Sequence, residues 1–212
     1  MMTSIFLCDF DGTISLKDVT DELLMRFGKE GVVELEEAWE QGEIGSKECM
    51  AGQVALLDMN QAQLDNCLAD IAIDPAFREF VAFAEAKNIP IQIVSDGLDY
   101  AIAKILAYNN IPDMPILANH LVNTGERSWA LEFPYSAESC KKKSGNCKCQ
   151  QSDALYHAYD QIFYVGDGSS DYCVSHEVNL VYAKDKLIQY CENKGIRYQP
   201  IHSFSDIIES LS

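Results

Sequence analysis

Ser4-Ile5-Phe6-Leu7-Cys8-Asp9-Phe10-Asp11-Gly12-Thr13 is the stretch around which the rest of the chain can be read. Ile5 to Cys8 form a short apolar run, which predicts a buried strand. Two carboxylates and a glycine follow at once. In open α/β sheets, ligands bind just beyond the carboxyl ends of the strands, so Asp9 and Asp11 fall where chemistry is done. If the strand continued through them, their side chains would share a face. Two acids held together repel, and that repulsion calls for a cation. Gly12 lets the backbone turn away.

Reading outward, residues 14 to 73 predict four consecutive helices. Thr20 is the expected cap of the first, with acids Asp21 and Glu22 behind it and Leu23, Leu24 and Phe27 on its apolar face. Val32, Val33, Leu35 and Trp39 mark the second, Ser46 the start of the third, and Asn60 the start of the fourth. From Asp74-Pro75 the pattern alternates between helix and strand. Strands are expected at Ile89–Val94, Pro115–Leu117, Ile162–Val165 and Asn179–Tyr182. A hairpin is expected over His120–Leu131, turning at Asn123-Thr124-Gly125. Residues 134–149 read as a polar loop, followed by a helix over Ser152–Tyr159. The pattern predicts an α/β fold: a doubly wound, parallel-sheet core built from residues 1–13 and 74–212, with residues 14–73 inserted as a helical domain. Such an insertion can close over a site and exclude water.

The formal net charge of −17 over 212 residues excludes a basic footprint for nucleic acid or anionic membrane. No apolar run reaches the roughly 20 residues that span a bilayer. Met-Met-Thr-Ser has no export-signal character, so the expectation is a cytoplasmic monomer or homodimer. The eight cysteines are accordingly expected to be reduced.

Four features fall at strand ends or helix starts: Asp9 with Asp11, Ser95 with Asp96 and Gly97, Lys148, and Asp167 with Asp171. Together they fit phosphoryl transfer. Mg²⁺ takes oxygen ligands, which Asp9 and Asp167 supply. A carboxylate can attack phosphorus, and Asp9 is the candidate. Asp11 can move a proton to and from the other reacting oxygens. Ser95 and Lys148 can hold the phosphoryl oxygens.

Asp9-Phe10-Asp11-Gly12-Thr13, Ser95, Lys148 and Gly166-Asp167-Gly168 with Asp171 resemble the four motifs of the haloacid dehalogenase superfamily, phosphatase branch. The helical insertion resembles that family's C1 cap. The resemblance implies a Mg²⁺-dependent phosphatase of a small phosphate ester. Asp9 would be the nucleophile and a metal ligand, and Asp11 the acid/base and a ligand through its carbonyl. Ser95, Asp96, Gly97 and Lys148 would surround the phosphate, Asp167 would bind metal, and Asp171 would support it.

Within the family the likeness is to phosphatases of 2-hydroxy-3-keto-5-methylthiopentenyl-1-phosphate, from methionine salvage, and of phosphoserine. The first rests on Glu79–Phe83 and the Cys-rich run Cys140–Cys149. Phosphoethanolamine and phosphocholine phosphatases have a similar run. Phosphoserine phosphatases carry an Arg where this chain has Gln53, before Val54-Ala55-Leu56-Leu57; a neutral amide lacks the bidentate grip on a carboxylate.

Other readings stay open. The chain could be a non-catalytic phosphate- or metal-binding module. Cys140, Cys147 and Cys149, with His120 or Cys173, could hold zinc or act as redox thiols, although simple loop cysteines fit the spacing better. Lys141, Lys142 and Lys143 read as a solvated loop. Glu34, Glu36, Glu37, Glu40 and Glu43 read as a solvated helix face that could also favour cationic substrates. Trp39, Met50 and Met59 read as helical core.

Overall fold

Alternation along the first strand divides its side chains between two cores. In the computed structural model, which describes residues 2–140 and 142–212 and so leaves Lys141 of the lysine run outside, β1 spans Ser4–Cys8. Phe6 and Cys8 enter one apolar cluster, while Ile5 and Leu7 enter another. A strand buried on both faces is what a doubly wound sheet requires. β1 is central, pairing in parallel with β2 (Ile91–Leu98) and with β5 (Gln161–Gly166). Beyond β2 lie β3 (Ile116–Gly125) and β4 (Ser128–Glu132); beyond β5 lie β6 (Leu180–Ala183) and β7 (Tyr198–Pro200). The order is therefore β4-β3-β2-β1-β5-β6-β7, parallel except for the β3–β4 hairpin.

Four helices follow β1: α1 (Val19–Phe27), α2 (Val32–Glu40), α3 (Ser46–Ala55) and α4 (Gln61–Ala69). Their two connections to the sheet run side by side, because Leu16 N–H donates to Ala72 O at 3.0 Å and Asp74 N–H to Ile14 O at 2.8 Å. The remaining helices are α5 (Phe77–Ala86), α6 (Asp99–Tyr108), α7 (Lys148–Leu155), α8 (Asp185–Lys194) and α9 (Phe204–Leu211). Phe77 and Phe80 of α5 and Phe204 of α9 stack against the Phe6 face; Leu187 and Cys191 of α8 cover the other. No helix among the described residues is long and apolar enough to cross a membrane.

Several local expectations shift. Asp18, not Thr20, caps α1 by accepting from Asp21 N–H at 2.9 Å, because Thr20 is buried within the helix. The third helix does begin at Ser46, but its cap is Gly45 with no side-chain bond. Asn60 caps α4 with a reciprocal bond to Gln63, as its sequence suggests. The strand at Ile116 and the first arm of the hairpin are one ten-residue strand, parallel to β2 at its start and antiparallel to β4 at its end. The turn then falls at Glu126-Arg127, since Gly125 pairs with Ser128. β2 runs on through Ser95–Leu98 with a break in register. α7 starts at Lys148, four residues before the expected Ser152, and β7 is a short edge strand without a strong pattern of its own. Met59 is core, as expected, and its carbonyl accepts from Trp129 Nε1 at 2.9 Å, tying the insertion to the hairpin.

Phe6 lies between Phe80 and Phe163, with ring centroids 4.9 and 5.1 Å away. Phe6→Ala should lose about 3–5 kcal/mol, the range for emptying a buried aromatic site, read as a fall in the denaturant midpoint. At the other edge, His120 Nδ1 meets Asp99 Oδ2 at 2.7 Å, and this bond raises the imidazole above its ordinary 6.5. That contribution is complete below the ordinary value and fades as pH rises through the folded one. Both side chains are partly solvated, so the effect on stability is small. An NMR titration of His120 should give a midpoint above 6.5, returning towards it in Asp99→Asn.

Candidate active site

β1 stops at Cys8, and the chain turns over Asp9–Gly12 instead of continuing as a strand. Gly12 adopts φ +75°, a left-handed conformation that glycine takes without steric cost; a Cβ there would also stand 2.6 Å from Asp167 Oδ2. The turn still keeps both carboxylates on one opening. A cavity of about 500 Å³ at the carboxyl ends of β1, β2 and β5 is lined by Asp9, Asp11, Ser95, Asp96 and Asp167.

Asp9 is buried, with its N–H bonded to Val165 O at 2.9 Å. Its Oδ1 accepts from Phe10 N–H at 2.8 Å and lies 2.9 Å from Lys148 Nζ. None of the hydrogen bonds among the described residues ends on Oδ2. Lys148, the first residue of α7, also meets Asp171 Oδ1 at 2.7 Å and Ser170 Oγ at 3.1 Å. Asp171 is fully buried and fully employed: Tyr164 donates to Oδ1 at 2.5 Å, and the N–H groups of Asp167 and Gly168 donate to Oδ2 at 2.9 and 3.1 Å. Thr13 Oγ1 donates to Asp167 Oδ1 at 2.9 Å, and Lys184 Nζ holds the Thr13 carbonyl at 3.2 Å.

The electrostatics follow from this crowding. Burial alone would pull Lys148 down, but the carboxylates of Asp171, Asp9 and Asp96 hold it protonated, above its ordinary value. Burial would raise Asp171, yet Lys148, Tyr164 and the Gly168 N–H bring it below the usual carboxylate range. Asp9 is pushed well up by burial and then by Asp171, against the pull of Lys148. Asp167 rises to about 6 by burial and Asp171. Three carboxylates thus share one ammonium, and negative charge is left over. Oxygens of Asp9, Asp167 and Asp171 lie within 4.8 Å of one another, the only such metal-ready group among the described residues. An all-oxygen donor set with surplus charge fits a hard divalent cation.

The Asp11 carboxylate stands outside that group. Its Oδ1 accepts from Val19 N–H at 2.7 Å and its Oδ2 from Ser95 Oγ at 3.4 Å; burial, then the charge of Asp18, raises it to about 8. Ser95 Oγ also accepts from Gly97 N–H at 2.9 Å. Gly97 carries no side chain at a place where a Cβ would lie 2.5 Å from Asp11 Oδ2. Asp96 is held on both sides, its carboxylate accepting from Asn146 N–H at 3.1 Å and its carbonyl from Asn119 Nδ2 at 2.5 Å. Asn146 Nδ2 in turn donates to Ser95 O and Leu117 O.

Of the residues grouped from the sequence around phosphate and metal, Asp9, Asp11, Ser95, Asp96 and Asp167 line this opening, Gly97 adjoins Asp11, and Lys148 and Asp171 lie buried behind Asp9. Lys184 and Asn146 had no sequence signal as parts of it, since each acts through a contact far along the chain; Tyr164 reaches Asp171 only seven residues on, but from within an apolar strand run, and Thr13, quoted with the first motif, had no role assigned to its side chain. Glu36 and Trp39 also differ from expectation, and Met50, which packs against the core as expected, joins them. They line a second cavity, of about 180 Å³, that shares Asp11, Asp18 and Asp96 with the first. Glu36 is thus turned inward from its helix face, and Trp39 and Met50 are cavity wall. Cys140, Cys147, Cys149 and Cys173 do gather, around a separate cavity of about 540 Å³ with His176. His120 is elsewhere, on Asp99, and all eight thiols are free. Lys142 donates to Ser169 O and is not simply solvated.

A parallel sheet carrying a buried acid cluster and a lysine at its carboxyl edge is a hydrolase architecture with a known counterpart. The family model described as haloacid dehalogenase-like hydrolase matches residues 6–176, and the chain belongs to that family. A 2-hydroxy-3-keto-5-methylthiopentenyl-1-phosphate phosphatase of Exiguobacterium sibiricum is 31% identical over 99% of this chain and 97% of its own. The polyol phosphate phosphatase PYP1 of Saccharomyces cerevisiae is 25% identical over 100% of this chain and 93% of its own. In fold, the chain is similar to a phospho-aspartyl intermediate analogue of phosphoserine phosphatase, with a TM-score of 0.75, 17% identity and 99% of each chain covered.

Replacing Lys148 by Met should cost about 3–5 kcal/mol, because Asp9 and Asp171 would stay buried without their cation. The check is a denaturation midpoint measured beside that of Ser170→Ala. Ser170 shares only the periphery of the cluster, so its loss should cost less.

Proposed function

We propose that the protein is a Mg²⁺-dependent phosphomonoesterase that works through an aspartyl-phosphate on Asp9. The observation that carries this is the state of Asp9: one oxygen is held by Lys148 and Phe10 N–H, while Oδ2 receives no hydrogen bond from the described residues. Asp9 Oδ2 forms a bond to phosphorus as the bond to the ester oxygen breaks. Asp11 supplies the proton that the departing alcohol needs, then takes one from the water that cleaves the Oδ2–phosphorus bond. Ser95 Oγ and Lys148 Nζ donate to the phosphoryl oxygens. Asp9 and Asp167 would hold the metal, together with the Asp11 carbonyl; Asp171 keeps Lys148 and the Asp167 loop in place. When bound, Mg²⁺ offsets phosphate charge and aligns the ester for in-line attack.

Residues 14–73 act as a cap over the core formed by 1–13 and 74–212, and the second cavity, between the insertion and Asp11, receives the alcohol part of the ester. The relative from Exiguobacterium supports an ester of the 2-hydroxy-3-keto-5-methylthiopentenyl-1-phosphate type as substrate, because the likeness runs through the whole chain. Against phosphoserine stands Gln53, whose amide is turned to Glu36 at 2.8 Å.

Hydrolysis of an aryl phosphate and of a panel of metabolite esters tests this reading. Wild type should turn over only with Mg²⁺ and stop with EDTA. Asp9→Asn should fall to background, and Asp11→Asn should lose about 10²–10⁴-fold, the usual contribution of an acid/base group. Turnover of Asp9→Asn at the wild-type rate would remove Asp9 from its role.

A further inference from the structure

The wall of the second cavity carries a charge pattern that nothing in the phosphate chemistry requires. Asp18, Asp21 and Glu36 line it beside Asp11 and Asp96, and no Lys, Arg or His is among its described lining residues. Two donors converge on one oxygen of Glu36: Gln53 Nε2 at 2.8 Å and Cys49 Sγ at 3.8 Å both reach Oε2. Oε1 receives no hydrogen bond from the described residues. Gln53 is only 6% exposed, so Glu36 is held in place by a buried amide from the neighbouring helix. The Trp39 indole lines the same cavity. A carboxylate with an open oxygen suits a hydrogen-bond donor, and an ammonium above a neutral one, because a charge-assisted bond is the stronger.

We infer that Glu36 is a specificity-determining residue that makes the alcohol end of the site take a leaving group carrying a hydrogen-bond donor, a hydroxyl as in the substrate type proposed above or, more tightly, an ammonium, and reject one ending in a carboxylate. The inference rests on the proposed function in one respect: it takes the phosphate to lie against Asp9 and Ser95, so that the alcohol points into the second cavity. A carboxylate there would face Asp18, Asp21 and Glu36, with no cation among the cavity's described lining residues to meet it. A hydroxyl can donate to Glu36 Oε1, and an ammonium can donate and also offset charge. Burial, with Asp18 and Glu36 adding to it, already pushes Asp21 up to about 6, so the wall carries a repulsion that a bound cation would relieve.

Three phosphonates that are not hydrolysed and differ chiefly in their far end test this: 2-aminoethylphosphonate, 2-hydroxyethylphosphonate and phosphonoacetate. Each is titrated calorimetrically into the full chain with Mg²⁺, for wild type, Glu36→Gln and Glu36→Asp. Wild type should bind the amine at least about tenfold more tightly than the carboxylate, with the hydroxyl between them, as a charge-assisted hydrogen bond gives. Glu36→Gln should cut that ratio at least about threefold, the remainder coming from Asp18 and Asp21, without changing the affinity for the hydroxyl compound by more than about twofold. Glu36→Asp, which keeps the charge, should restore part of the preference. Should Glu36→Gln fail to fold, Asp21→Asn on the same wall takes its place, with a smaller reduction of the ratio expected.

Equal or tighter binding of phosphonoacetate by wild type would overturn the inference, as would an undiminished preference in Glu36→Gln. Aryl phosphate turnover in the same preparations separates the two readings. If no phosphonate binds while the aryl ester is hydrolysed, the charge selection is wrong and the phosphatase stands. An amine preference lost in Glu36→Gln, without turnover, would sustain the inference and sink the catalytic reading. Absence of both binding and turnover would sink both.

Discussion

The buried contact of Lys148 with Asp9 and Asp171 is the constraint on which the rest of the site depends. Taking an ammonium and two carboxylates out of water costs several kcal/mol per ion, and only close geometry and further hydrogen bonds offset that cost. The chain meets the requirement with Tyr164, with two backbone N–H groups on Asp171 and with Phe10 N–H on Asp9. Tyr164 donates from within β5, and the N–H groups from the turns that follow β1 and β5. The cluster therefore sets the relative position of β1, β5 and α7, and the sheet in turn sets the cluster. Because Asp167 adds a third carboxylate, the charges do not balance within the protein, and the site is prepared for a cation.

Two further layers of contacts stand behind it. Thr13 and Lys184 hold the loop of Asp167 against the turn that follows Asp9. On the opposite side, Asn146 reaches the carbonyls of Ser95 and Leu117 and lends its N–H to Asp96, so the break in β2 is fastened to β3. That fastening keeps Ser95 facing Asp11. The insertion contributes its own wall through Glu36, Trp39 and Met50, anchored by the bond of Trp129 to Met59 and by Arg127 to Asp58 at 2.5 Å. The buried acid cluster and the wall of the second cavity thus come from different parts of the chain, joined at Asp11, Asp18 and Asp96.

Much of the fold was legible from short-range patterns. The apolar run at Ile5–Cys8 and its counterpart at Ile162–Val165 are buried on both faces, and such strands announce themselves by continuous hydrophobicity. Asn60 with Gln63 declared the start of α4 by local hydrogen-bonding chemistry alone. The errors fall where a longer-range contact overrode the local preference. Lys148 begins a helix inside a polar stretch because the buried acids hold its ammonium there. Thr20 yielded the cap to Asp18 because the core buries it.

Legible from the residues alone was the order of the chemistry: an acid pair after the first strand, a serine late in the second, a lysine in a polar stretch that turns out to open a helix, and an acid pair after the fifth strand. Those positions follow from the alternation of strand and helix, which places the loops at one edge of the sheet. Only the tertiary structure decided which groups meet. It paired Lys148 with Asp171 as well as Asp9, turned Glu36 from an apparent solvent face into a cavity, brought four cysteines round a pocket of their own, and sent His120 to Asp99. The physical reason is that each of these arrangements brings together residues from different elements of the fold. Their energy depends on distance and on exclusion from water, neither of which is set by neighbours in sequence.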